Sequence, residues 1–187
     1  MKAADRIRYI DAVDKALLPL HFERPALDQA WRKLASSNNC LWVHLNFGLA
    51  IINPSLGVKY QDIGATLPSE AGGVTGTMRM LSSLTSRNYS DETPPSKLVE
   101  DLLTYGLPEL EALQNRREVI RRLASPVPTE WPVAGSSSRM RLLPLLLAAE
   151  GHVEESLSWL SSFELLPDQL VPSYETFTRY FRSAHGA

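Results

Sequence analysis

The run "CLWVHLNF", residues 40–47, constrains this chain more than any other. Leu41, Val43, Leu45 and Phe47 alternate with Cys40, Trp42, His44 and Asn46. Successive side chains of a strand point to opposite faces, so the first set predicts a core-facing row and the second an open one. A half-buried strand needs neighbours. Short extended pieces are expected around "LHFER" and "QAWRKL", the second equally compatible with helix, and the apolar run "LAII" resumes after Gly48, which marks a bulge or a break between strands.

Between that run and "VKYQDI" lies "INPSLG", whose Asn53, Pro54 and Gly57 are the residues that tight turns favour. The expectation is a connecting turn without a ligand role. A phosphate cradle would want several glycines and a lysine leading directly into a helix. The glycine-rich "GATLPSEAGGVTG" reads as a loop, and it lacks both the Lys-Ser/Thr ending of a P-loop and the spacing of a dinucleotide fingerprint.

Helical spacing governs much of the rest. Ile7, Ile10, Val13, Leu17 and Leu18 predict an amphipathic first helix ending near Pro19. "TMRMLSSL" is compatible with a short helix, and the polar, Pro-containing stretch 86–96 reads as a linker. Beyond it, Leu98, Leu102 and Leu103 mark one helix, and Leu107, Leu110, Leu113, Val119, Ile120 and Leu123 the next. "RMRLLPLLLAAEGHVEESLSWLSSF" predicts a helical hairpin turning at Gly151, and "YETFTRYF" a last short helix. The expected fold class is α+β: an N-terminal helix on an antiparallel sheet in residues 1–90, then a helical C-terminal part, residues 91–187, packed as one domain.

Composition narrows the partners. The 187 residues, 44% of them hydrophobic, are enough to bury a core, and a net charge of -2 gives no support to nucleic-acid binding. The one cysteine cannot form an internal disulfide, in agreement with a reducing cytosol. Asp5, Arg6, Arg8, Asp11 and Asp14 interrupt any apolar leader, and "LLPLLLAA" is too short to cross a bilayer. The expectation is a soluble cytoplasmic protein without a membrane partner.

Catalytic and metal signatures are sparse. His21, His44, His152 and His185 are scattered without metal-ligand spacing, so neither a metal nor a cofactor is expected. "AGSSSRM" is a serine-rich loop rather than a nucleophile elbow. Cys40 reads as a structural thiol, since nothing orients His44 toward it. Arg116, Arg117, Arg121 and Arg122 read as cations in the last turns of a helix with a solvated face, and Trp42, Trp131 and Trp159 as core aromatics. An enzyme reading would use Trp42, His44, Tyr60 and Asp62, gathered on one face of neighbouring strands.

One charge asymmetry stands out. From Leu142 to Thr178 the chain carries Glu150, Glu154, Glu155, Glu164, Asp168 and Glu175 with no lysine or arginine. Such a stretch is either a solvated surface or a face for a basic partner, whose association it would steer; Glu150, Glu154, Glu155, Glu164 and Asp168 are the candidate partner-binding residues.

"LLPLHFER", "AWRKL", "WVHLNFG" and "INPSLGVKY" together resemble the strand section of a bacterial domain-of-unknown-function family, number 4304. "YGLPELEALQNRREVIRRL" and "LLPLLLAAEGHVEESLSWL" are similar to its C-terminal helical part. Members of such families often sit beside toxin genes of interbacterial competition systems. The resemblance therefore implies an immunity protein that occludes a cognate toxin, and it carries over no catalytic residue. The alternatives are an enzyme with an unfamiliar site on the sheet and a helical adaptor that binds peptides along its C-terminal hairpin.

Overall fold

The strand expected at residues 40–47 is β2 (Asn39–Phe47) in the computed structural model, which describes residues 1–25, 28–66, 74–164 and 172–185. Leu41, Val43 and Leu45 are buried, and Cys40, Trp42 and His44 on the opposite face are half-buried. "AWRKL" is strand, not helix: β1 (Ala30–Leu34) pairs antiparallel with β2, setting Ala30 opposite His44 and Leu34 opposite Cys40. The chain belongs to the α+β class.

The turn expected at "INPSLG" is absent. Residues Ile51–Tyr60 form one continuous strand, β3, and the reversal falls at residues 48–50, where the Gly48 amide donates to the Ile51 carbonyl. Two short strands share β3. β5 (Tyr89–Ser90) pairs at Ile51 and Ile52, and β4 (Arg79–Met80) at Ser55 and Leu56. Pro54 falls between these pairings, where its missing N–H breaks no ladder bond. Gly57 does not need a positive φ; it needs to lack a side chain. A Cβ there would strike the Thr77 carbonyl and stand 2.8 Å from the Trp42 ring.

The described chain divides into two compact units. The first comprises residues 1–59 and 77–114, the second residues 60–76 and 115–187. Residues 91–114 thus group with the sheet, not with the later helices.

In the first unit, α1 (Ala3–Leu17) buries Tyr9, Val13 and Leu17, while Ile7 and Leu18, expected inside, are exposed. The apolar stripe is turned toward Tyr9, whose hydroxyl donates to the Ser90 and Thr93 carbonyls. Arg6 and Tyr9 approach Phe47, and Asp14 accepts from the Trp31 indole at 2.7 Å, which holds α1 on the sheet. The polar stretch 86–96 is mostly exposed but is pinned by the buried Tyr89, and α3 (Leu81–Thr85) precedes it. α4 (Pro95–Asp101) starts on its proline, passes through a π-turn at Leu102–Gly106 and continues as α5 (Leu107–Leu113). Gly106 permits that turn to lie close to Leu56 of β3, since a Cβ would stand 3.0 Å from its side chain.

In the second unit, α2 (Gln61–Thr66), α6 (Arg116–Ala124), α7 (Gly135–Ala149), α8 (Val153–Glu164) and α9 (Pro172–His185) pack as helices. The helix expected over Leu107–Leu123 is broken before α6, because Asn115 caps α6 by accepting from the Arg117 and Glu118 amides. Ser136 to Ser138, expected in a loop, lie in the first turns of α7. Of the glycine-rich loop expected at 64–76, residues 67–73 lie outside the described residues. Among the described residues no helix is long and apolar enough to cross a membrane.

Candidate functional site

The α7–α8 junction gathers most of the carboxylates that the sequence singles out. Helix α7 ends on a left-handed glycine: Gly151 has φ 87°, its amide donates to Ala148, and the His152 amide reaches back to Leu147 at 2.9 Å. This pair of bonds satisfies the last carbonyls of α7 and reverses the chain. The His152 carbonyl then accepts the Ser156 amide as the first bond of α8. A buried hydrogen bond from the Ser156 hydroxyl to the Pro144 carbonyl, 2.8 Å, ties α8 to α7.

Glu150, His152, Glu154 and Glu155 are all exposed around that reversal. Arg117, Ile120, Leu147, Glu150, His152 and Glu155 line a recess of about 360 Å³ there. Leu147 and Ile120 supply apolar wall, and the ionisable groups complete its lining. Glu150 is partly compensated by Arg116, 3.7 Å away. Glu154 and Glu155 make no ion pair among the described residues, and they sit in the first turn of α8, where the helix dipole favours negative charge. Such a surface can attract a cation at its carboxylates while an apolar stem lies against Leu147. Glu164 ends α8 ten residues beyond Glu154, roughly 15 Å along a helix axis. Asp168 lies outside the described residues.

The alternative set is divided between the units. Trp42 and His44 stand on β2 in the first, Tyr60 and Asp62 in the second. Tyr60 is fully buried; desolvation raises its phenol far above the ordinary value, and the Arg116 charge offsets that only in part. A phenol so held stays protonated near neutral pH and is no general base there. Asp62 is already engaged in an ion pair with Arg116, whose guanidinium also lies 5.3 Å from the Tyr60 ring centroid. Cys40 is half-buried, with its thiol 3.7 Å from the Leu41 carbonyl. Among the described residues, no three His, Cys, Asp or Glu side chains are grouped as metal ligands.

Arg116 and Arg117 are both misread from sequence: they open α6 rather than close it, and Arg116 bridges Asp62 and Glu150. The signal was present: Asn115 followed three residues later by Glu118 is a helix-start pattern. The same pattern covers Arg117; His152, which joins it at the recess, carried no comparable signal. No family model, no curated protein and no solved structure matches the chain.

Proposed function

We propose that this chain is a non-enzymatic cytoplasmic binding protein, an immunity protein that neutralises a cognate bacterial toxin by covering it. The observation that carries this reading is the α7–α8 end, where Glu154 and Glu155 stand exposed and unpaired beside a recess with apolar wall. A toxin with a basic surface complements that end, and rim carboxylates of this kind raise the rate of encounter. Occlusion needs a complementary surface of on the order of 1,600 Å² and a few anchors, and no catalytic group. The resemblance to family 4304 supports the same reading.

The test pairs this protein with the product of the gene immediately upstream. Co-expression should restore growth that the upstream product alone arrests, and the purified proteins should associate. Glu154→Lys with Glu155→Lys should slow association about tenfold at low salt and flatten its salt dependence, with little change in dissociation. A folded double variant that associates with unchanged rate and salt dependence would sink the assignment of this surface. An upstream product that is harmless and does not bind would sink the immunity reading itself.

A further inference from the structure

A different surface, in the sheet unit, has a backbone edge left open beside an apolar groove. The Arg32 amide and carbonyl exchange bonds with Glu23 at 2.8 and 2.7 Å, so a single bridge covers the outer edge of β1. Gln29 and Ala35 bond toward β2, through the Leu45 amide and the Asn39 carbonyl. Bonding directions alternate along an antiparallel strand, so Leu34, like Arg32, turns its N–H and C=O to the outer edge. Nothing among the described residues bonds them there; the Glu23–Arg32 bridge is not continued at His21, which takes φ 64°. The Leu34 side chain is 65% exposed.

The space left is a groove of about 350 Å³, with Leu20 and Phe22 on one side, Lys33 and Leu34 on β1, and Leu110 and Glu111 on α5. Lys33 lies over the Phe22 ring and makes no ion pair among the described residues; the same holds for Glu111 on the facing wall. The groove therefore offers an apolar slot, one backbone donor–acceptor pair, one cation and one anion. A lipid tail or a plain hydrophobe would leave all three polar features unmatched. An extended polypeptide matches every one of them.

We propose that this groove binds an extended segment of a partner polypeptide. The segment pairs its backbone with Leu34 and inserts an apolar side chain between Leu20, Phe22 and Leu110. It directs an acidic residue to Lys33 and a basic residue to Glu111. This site is independent of the acidic end of the helical unit, and neither proposal needs the other.

The test selects binders from a synthetic pool of capped, fully degenerate heptapeptides on the immobilised full-length chain. The enriched sequences should carry an apolar residue flanked by one acidic and one basic residue. Lys33→Glu should invert the preference at the acidic flank and Glu111→Lys that at the basic flank. Leu34→Pro removes an N–H that the sheet does not use, and it should weaken the selected peptide at least tenfold with melting temperature unchanged. Should that variant fold poorly, the selected peptide N-methylated at its central residue should show the same loss on the native protein. An unenriched pool, unaltered charge preferences in the two folded charge variants, or full affinity of the N-methylated peptide each overturns the proposal.

Discussion

Buried Asp101 in the sheet unit and half-buried Arg139 in the helical unit are charges held by different means. In the sheet unit, Asp101 is 2% exposed and collects Arg87 at 3.0 Å, Lys97 at 3.1 Å and the Tyr89 hydroxyl at 3.1 Å. Burial foremost, with the Asp101 carboxylate adding to it, pushes the Tyr89 phenol up to about 12. Asp14 does similar work for Arg24 and the Trp31 indole. In the helical unit Arg139 has no carboxylate among the described residues. Its guanidinium carbon lies 4.4 Å from the Trp131 ring centroid and 5.3 Å from those of Trp159 and Phe163. Its Nε donates to the Leu123 carbonyl, and burial lowers its pKa. Ring faces attract a cation without a counter-ion. The helical unit also pairs Arg116 with Asp62 and Glu150, and Arg122 with Glu118, so the contrast lies between these two sites and not between the units as wholes.

The comparison is broken most severely at Gly57, since the sheet unit depends on backbone approach before it depends on ion pairs. Gly57→Val places Cβ against the Thr77 carbonyl and the Trp42 ring, neither of which is a flexible side-chain end. The expected cost is about 3 kcal/mol or more, read by denaturant titration. A variant within a few tenths of the native stability would show that β4 and Trp42 have room to withdraw.

Next in size is Asp101→Asn. The carboxylate is buried, but Arg87 and Lys97 remain partly solvated, so the cost falls below that of stranding a fully buried ion, at about 2–3 kcal/mol. Arg139→Met keeps much of the apolar stem and loses the ring contacts and the bond to Leu123, for about 1–2 kcal/mol. Salt separates the two. The Asp101 difference should shrink between roughly 0.05 and 0.5 M salt while the Arg139 difference holds, because the carbonyl and ring partners of Arg139 carry no net charge for ions to screen. Equal salt responses would erase the distinction between the two sites.

How far the sequence revealed this depends on whether a residue's role is local. Leu41, Val43 and Leu45 face inward as alternation requires, and Gly151 reverses the chain as its composition requires; both follow from local geometry. Asn53, Pro54 and Gly57 are turn residues by local chemistry, yet they lie in a strand. The reasons are distant: two short strands divide β3 between them, and Thr77 and Trp42 require an empty position at 57. The site divides the same way. The run of carboxylates was visible as composition, but the recess beside them is made with Arg117 and Ile120 from a separate helix, and only packing brings those together. Tyr9 joins the core for a comparable reason, because its hydroxyl finds carbonyls more than eighty residues away.

The smallest expected effect concerns acid, and it compares one carboxylate from each unit. Hydrogen bonds from Arg24 foremost hold the Asp14 carboxyl below its ordinary value, and those from Arg121 and then Arg122 hold Glu118 at about 2. A carboxyl whose folded pKa is depressed adds stability that is complete above its unfolded value and is lost as pH falls through the folded one. For Glu118 that window runs from about 4.5 down to about 2, and for Asp14 it opens just below 3.8. Asp14 and Arg24 are mostly shielded, with side chains 17% and 23% exposed, whereas Glu118 is 29% exposed and divides its bonds between Arg122, 18% exposed, and Arg121, 64% exposed. Solvent screening therefore leaves about 1 kcal/mol for the Asp14 pair and less for Glu118. Denaturant midpoints from neutral pH into this window should show the native protein converging on Asp14→Asn, and more weakly on Glu118→Gln, as each advantage is titrated away. The Glu118 convergence should weaken in high salt by its Arg121 share, and the Asp14 convergence should persist. A difference between native protein and Asp14→Asn that stays constant down to pH 2 would mean that the Arg24 pair is not linked to folding. The contrast between a mostly shielded and a partly exposed ion pair would then fail at its best-formed example.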